Sequence, residues 1–188
     1  EAATGEKFAN IWMHNGPLRV DNEKMSKSLG NFFTVREVLK KYDAEVVRHL
    51  LIASHYRSPI NYSESSLQQS SAALERLYIG LQGVDVDSAK SLTNSRFEKA
   101  FLKAMDDDFN TPEAFAVLFD LAKELNKSAG QQASNLAGVM IKLADILGIL
   151  QQSPNDFLQA GAGGVGGEHK DVAEIEALIK ARNDARSR

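Results

Sequence analysis

The sequence predicts a mainly α protein, in which a short α/β segment is followed by an antiparallel helical bundle. Three observations carry that expectation. From residue 34 onward, apolar residues recur at helical spacing in one stretch after another, and most of these stretches open on a capping signal. The first 33 residues lack this period and hold short extended runs around a turn signal. At 188 residues, 43% hydrophobic and 25% charged, the chain is long and apolar enough for one large or two small domains with a real core.

Residues 8–21 read as two short extended pieces. Phe8, Ile11, Trp12 and Met13 lead into the turn signal Asn15-Gly16-Pro17, which is followed by Leu18-Arg19-Val20. Every later element is expected to be helical. Thr34-Val35-Arg36-Glu37 is a capping box that opens a short helix to about Lys41. Asp43 caps a second helix with Val46, Val47, Leu50 and Leu51 on one face, and Ser58-Pro59 breaks it. Ser63 or Ser65 starts a third, with Leu67, Leu74, Leu77, Tyr78 and Leu81 as its stripe and Gly83 as its stop. After a polar loop over 84–94, Ser95-Arg96-Phe97-Glu98 forms another capping box, and Phe97, Phe101, Ala104 and Met105 line that helix. Thr111-Pro112-Glu113 starts the next, with Phe115, Leu118, Leu121, Ala122 and Leu125 inward. A helix from about Ala133 to Leu147 buries Leu136, Val139, Met140, Leu143, Ile146 and Leu147, and Gly148 ends it. These stripes predict core packing and say nothing about chemistry. Residues 161–167, rich in glycine, read as a flexible linker to one more amphipathic helix carrying Val172, Ile175, Leu178 and Ile179. The expected division is 1–33, 34–160 and 161–188, the last being the start of a further domain.

Composition excludes several functions. With no cysteines, the chain has no disulfide, thiolate nucleophile or cysteine-based zinc site of its own. The histidines His14, His49, His55 and His169 are dispersed and match no metal-ligand spacing. No apolar run approaches the roughly 20 residues of a membrane span. The start, Glu1-Ala2-Ala3-Thr4-Gly5, is no signal peptide and lacks an initiator methionine, so a cytoplasmic piece of something longer is expected. Net charge is −3; residues 1–60 hold nine Lys/Arg against seven Asp/Glu, and the remainder thirteen against eighteen. Any contact with RNA is therefore expected to be local and shaped rather than a broad basic face.

The chemistry concentrates in Lys24-Met25-Ser26-Lys27-Ser28, followed by Leu29-Gly30-Asn31. Two ammonium groups and two hydroxyls lie within five residues, ahead of a glycine that lets the loop bend. Such a loop suits a mobile clamp on a polyphosphate: lysine offers a compact charge with three donors, and hydroxyls add short hydrogen bonds to phosphate oxygens. Lysine-serine loops are common as solvated surface, but this string arises by chance in a chain of this length on the order of once in ten thousand. Elsewhere, Arg57 beside Tyr56 suits RNA backbone or base stacking, or else a packed turn. Asp106, Asp107 and Asp108 could attract a hard cation, but their spacing fits better a helix end, with Asn110 or Thr111 capping the next helix.

The string Lys24–Ser28 matches the signature loop of class I aminoacyl-tRNA synthetases. Three further stretches narrow the resemblance. Trp12-Met13-His14-Asn15-Gly16 resembles the approach to this loop in cysteinyl-tRNA synthetases. Ser54-His55-Tyr56-Arg57-Ser58-Pro59-Ile60-Asn61-Tyr62-Ser63 is similar to their segment after the first bundle helix. Met105-Asp106-Asp107-Asp108-Phe109-Asn110-Thr111-Pro112-Glu113-Ala114 looks like a hallmark of that family. The chain thus resembles the C-terminal part of bacterial-type cysteinyl-tRNA synthetases, with the likeness weakest over 128–167. The resemblance implies ATP, with Mg, and cysteine as substrates, cysteine tRNA as partner, and a monomer. Lys27 would contact ATP phosphates during adenylate formation, supported by Lys24, Ser26 and Ser28. Asp43-Ala44-Glu45-Val46-Val47-Arg48 resembles the DALR type of bundle, which contacts tRNA. Arg48 in it has two readings, a tRNA contact or a structural pair with Asp43 or Glu45; Arg57 and Tyr56 are the other tRNA candidates. The family's zinc and its nucleotide motif come from residues upstream, so these 188 residues are expected to hold no metal and to be inactive alone. Two rival readings are a paralogous ligase joining cysteine to an amino-sugar and a non-catalytic helical RNA-binding module.

Overall fold

The structure, a computed structural model, describes residues 4–89 and 95–160 together with residue 182. Its order is β1 (Leu18–Val20), β2 (Glu23–Lys24), a single 3-10 turn (Lys27–Leu29), α1 (Val35–Val38), α2 (Ala44–Ile52), β3 (Ile60–Tyr62), α3 (Glu64–Leu81), α4 (Arg96–Asp106), α5 (Thr111–Leu125), α6 (Gly130–Leu147) and α7 (Pro154–Gln159). The expected linker and the helix after it lie outside the described residues.

The sheet is small, in the order β2-β1-β3. β1 pairs antiparallel with β2, Arg19 opposite Lys24, and parallel with β3, Arg19 opposite Asn61. β3 went unforeseen, because three residues offer no period to read. Of the two extended pieces expected over 8–21, only Leu18–Val20 is a strand. Gly16 brings the chain ahead of β1 against the turn that precedes β3. Its N–H donates to the Tyr56 carbonyl at 2.8 Å, and a Cβ there would stand 2.1 Å from the Ser58 carbonyl oxygen. Backbone cannot withdraw as a side chain can, so only glycine fits this approach.

α1 to α4 begin where their caps said. Thr34 and Glu37 form the reciprocal box, and the hydrogen bonds from Thr34 hold the Glu37 carboxyl below its ordinary range. Asp43, Ser63 and Ser95 cap α2, α3 and α4 through their side chains. Asn110 caps α5, which places Thr111 inside the first turn beside Pro112. α6 starts at Gly130, three residues earlier than expected, without a side-chain cap. α2 already ends at Ile52, ahead of Ser58-Pro59. α7 is a helix beyond the expected set, capped by Ser153 and opened by Pro154.

α4 packs on α5, α5 on α6, α2 on α3, and α3 on both α5 and α7. The predicted stripes meet in one core, in which Leu74, Leu77, Tyr78, Phe101, Leu118, Leu121 and Met140 are fully enclosed. Leu51 and Ile146, expected inside, are 43% and 52% exposed, because each lies at the margin of its stripe. In a core this closed, Phe101→Ala is expected to lower stability by about 3–5 kcal/mol in urea titrations.

His49 is buried, with its ring edge-on to Phe115 at 4.7 Å and its Nδ1 without a hydrogen-bond partner. Burial disfavours the charged ring and lowers its pKa to about 4. The unfolded chain takes up this proton near pH 6.5 while the folded one does not. Stability is therefore complete above pH 6.5 and falls by about 3 kcal/mol as the pH drops toward 4. Melting temperatures across that window should show the loss, and His49→Leu should flatten it.

Candidate phosphate-binding site

The clamp string departs from the tightest corner of the sheet. The turn between β1 and β2 sets Asp21 and Asn22 at φ of 49° and 68°, the positive values that a two-residue hairpin requires. β2 then delivers Lys24 at its end. Beyond it, Lys27–Leu29 form a single turn closed by Gly30, whose N–H donates to the Lys27 carbonyl at 3.2 Å and whose φ is 69°. A Cβ at Gly30 would meet nothing within 4 Å, so glycine is required there by the backbone angle and not by space.

Asn31 draws the loop together. Its Oδ1 accepts from the Ser26 N–H at 2.8 Å, and its Nδ2 donates to the Lys24 carbonyl at 3.2 Å. The Ser26 and Ser28 hydroxyls lie 2.7 Å apart. Met25 and Ser26 are half-buried, whereas Lys24, Lys27 and Ser28 face solvent. Neither lysine has an ion-pair partner among the described residues. Lys27 Nζ rests 5.4 Å from the centre of the exposed Phe32 ring, an attraction weak enough to be exchanged for a phosphate. The site thus presents two free ammonium groups and a hydroxyl pair on a loop whose backbone is tied by one asparagine. Leu29, Phe32 and Val35, within and just after the loop, are each at least 50% exposed, as are Phe8, Ile11 and Trp12 ahead of β1, where Phe8 stacks on Trp12.

The other candidates lie away from the loop. Arg57, Tyr56 and His55 converge on Asp108 in the turn between α4 and α5. Tyr56 OH donates to Asp108 Oδ1 at 2.7 Å, Arg57 Nε to Tyr56 OH at 2.8 Å, and Arg57 Nη2 stands 3.1 Å from Asp108 Oδ2. These partners raise the Arg57 pKa above its ordinary value, Tyr56 first and Asp108 second. The cluster remains open: the Arg57 side chain is 65% exposed. Two of the three stretches that carry the resemblance therefore meet here, and Gly16 brings the third alongside. The run 106–108 closes α4, and Asp108 serves as the partner of Arg57. Arg48 Nε donates to the Leu147 carbonyl at 2.5 Å, at the end of α6. Neither expected structural partner takes it: Asp43 caps α2 and receives Gln152, and Glu45 turns inward to Tyr78.

One surface escaped the sequence reading. Two adjoining grooves of about 580 and 480 Å³ lie along α5, sharing Asp120, Lys123 and Lys127. Arg76 lies over the Phe119 ring at 5.1 Å in one, and Arg96 pairs with Glu124 in the other. The spacing of Lys123 and Lys127 places them on one face and was legible; that α3 would bring Arg76 to it was not.

Two family models match this chain. The model for the class I (C) tRNA synthetase catalytic domain matches residues 1–72, and that for the DALR domain matches residues 100–151. These two matches mark the chain as part of a class I aminoacyl-tRNA synthetase. Cysteine–tRNA ligases of Tolumonas auensis, Azotobacter vinelandii and Vibrio parahaemolyticus are 55%, 56% and 53% identical to the chain, across 96%, 100% and 96% of its length. The chain belongs to the cysteinyl-tRNA synthetase family, and it spans about two fifths of the length of these relatives.

Proposed function

We propose that this chain is the phosphate-clamp and tRNA-holding part of a cysteine–tRNA ligase. The observation that carries the reading is the tied loop Lys24–Ser28 with its free ammonium groups, within the stretch similar to the class I catalytic domain. In the reaction, a cysteine carboxylate oxygen attacks the α-phosphorus of ATP, cysteinyl-adenylate forms and pyrophosphate leaves. Lys27 and Lys24 meet the charge that builds on the departing phosphates, with the Ser26 and Ser28 hydroxyls as further donors. The cysteinyl group then passes to the 3′ end of cysteine tRNA, and adenosine monophosphate leaves.

The family's zinc does not fit these residues. The chain has no cysteine, and among the described residues no group of three His, Asp or Glu side chains converges. No described helix is long and apolar enough to cross a membrane, which suits a cytoplasmic enzyme; a monomer is the simplest assembly. We place the working division at the clamp segment 1–33, the bundle 34–160 and a further module from 161.

For tRNA, Arg57 offers an exposed guanidinium beside the half-buried Tyr56 ring, Arg48 on α2 reaches the end of α6, and the α5 grooves offer Arg76, Lys123 and Lys127. The expected result for Lys123→Glu with Lys127→Glu is weaker charging of cysteine tRNA with pyrophosphate exchange unchanged. The salt dependence of tRNA binding should flatten by about one unit of slope per lost phosphate contact. Charging of cysteine tRNA by the complete protein tests the whole reading; ligation of cysteine to an amino-sugar in its place would overturn it.

A further inference from the structure

The clamp loop enters through β2, which has only two residues, both exposed, and pairs with β1 alone. So short a hairpin has little of its own to hold it in place. Its turn is anchored from the other side by β3. The Asp21 N–H donates to the Tyr62 carbonyl at 3.1 Å, and the Asn22 N–H donates to Asn61 Oδ1 at 2.8 Å. The first bond is main chain to main chain and is available to any residue at 62. The second needs a side-chain acceptor of asparagine's reach at 61. β3 leads into α3 through one residue, Ser63, whose hydroxyl caps the helix at Ser66 N.

We propose that Asn61 is a positioning residue for the clamp loop, fixing the turn from which Lys24–Ser28 departs and so setting the loop in register with the helical bundle. Asn31 and Asn61 divide the work. Asn31 holds the loop's internal shape, through Ser26 and Lys24; Asn61 holds where that shape sits, through Asn22. Because Asn61 lies on the strand that runs into α3, the loop is referenced to the bundle rather than to its own short hairpin. Asp21 and Asn22 stand at the positive φ that the two-residue hairpin requires, so without the bond to Asn61 the turn keeps its form but loses its side-chain tether to β3. The inference rests on the reading that this loop binds the phosphates of ATP.

The test is ATP–pyrophosphate exchange in the complete protein, with Asn61→Ala, Asn61→Ser and Asn61→Asp, and with Lys27→Ala as the control. Misplacing reacting groups by about 1 Å costs up to about a hundredfold, and one lost tether of several is expected to lower kcat about tenfold. The Ala and Ser variants should show that loss with the KM for cysteine unchanged. Asn61→Asp, which keeps an oxygen for Asn22, should stay within about threefold of the parent. Amide hydrogen exchange at Asn22 should quicken in the Ala and Ser variants and not in Asp. A purely structural role would lower the melting temperature and leave kcat intact well below it. Folded Ala and Ser variants within twofold of the parent, or no recovery in Asp, would overturn the proposal, as would failure of both Ala and Ser to fold. A Lys27→Ala protein that exchanges at the parental rate would instead bring down the clamp reading beneath it.

Discussion

Lys27→Ala in the complete protein is expected to slow adenylate formation about a hundred- to a thousandfold, and to change the affinity for cysteine little. The physical reason lies in where this charge acts. Lys27 is exposed, free of any ion pair among the described residues, and held only by the face of Phe32 at 5.4 Å. Little is lost when it leaves that ring, and in the proposed reaction the charge it would meet is greatest as pyrophosphate departs. An interaction stronger in the transition state than with bound substrate lowers kcat rather than raising KM. Lys27→Arg is not a neutral change, because a planar fork replaces a rotating ammonium. Pyrophosphate exchange measures the step directly, and a near-parental rate in Lys27→Ala would refute the assignment.

Glu45→Ala is expected to lower the stability of the fold by about 3–5 kcal/mol, among the largest effects of any single substitution outside the apolar core. Glu45 is buried, and its carboxylate faces three donors. Tyr78 OH lies 2.9 and 3.0 Å from its two oxygens, Leu150 N–H donates at 2.9 Å and Gln151 N–H at 2.8 Å. Gln152 N–H in turn donates to Tyr78 OH, whose pKa burial pushes well above its ordinary value. One carboxylate thereby joins α2, α3 and the segment after α6, where Leu150 stands at a φ of 59°. Tyr78 also stacks on Phe157, which brings α7 to the same point. Removing the carboxylate strands three donors away from water. Glu45→Gln should recover only part of the loss, because its amide turns a donor toward a backbone N–H. Urea unfolding of the three proteins measures the order, and a loss under about 1 kcal/mol for Glu45→Ala would show that water or a shift of the chain satisfies those donors.

Glu45 shows why part of this fold was illegible. It sits in the first turn of α2, where an acidic residue is favoured by the helix dipole alone, and nothing in the sequence distinguishes a solvated glutamate there from a buried one. The caps, in contrast, were legible because they are local: Thr34, Asp43, Ser63 and Ser95 each reach backbone no more than three residues away. The inward stripes were legible because a helix repeats. Where a residue lay at a stripe's edge, as with Leu51 and Ile146, the period could not assign it a side. At the site, the residue types of the clamp could be read, and so could the glycine that closes it. The tie through Asn31 spans five residues and seven, and the tie through Asn61 spans 39; no local pattern encodes either.

The sequence by itself determined α1 to α5, most of their caps and core faces, and the residue types of Lys24–Ser28, because all of these depend on spacing within a few residues. Only the tertiary structure decided that β3 lies parallel to β1, that Arg57 meets Asp108, that Glu45 is buried, and that Asn61 holds the turn below the clamp. Those are meetings of residues tens of positions apart, and the chain's closure around its core selects them. The loop's charges belong to the sequence; the place at which they are presented belongs to the fold.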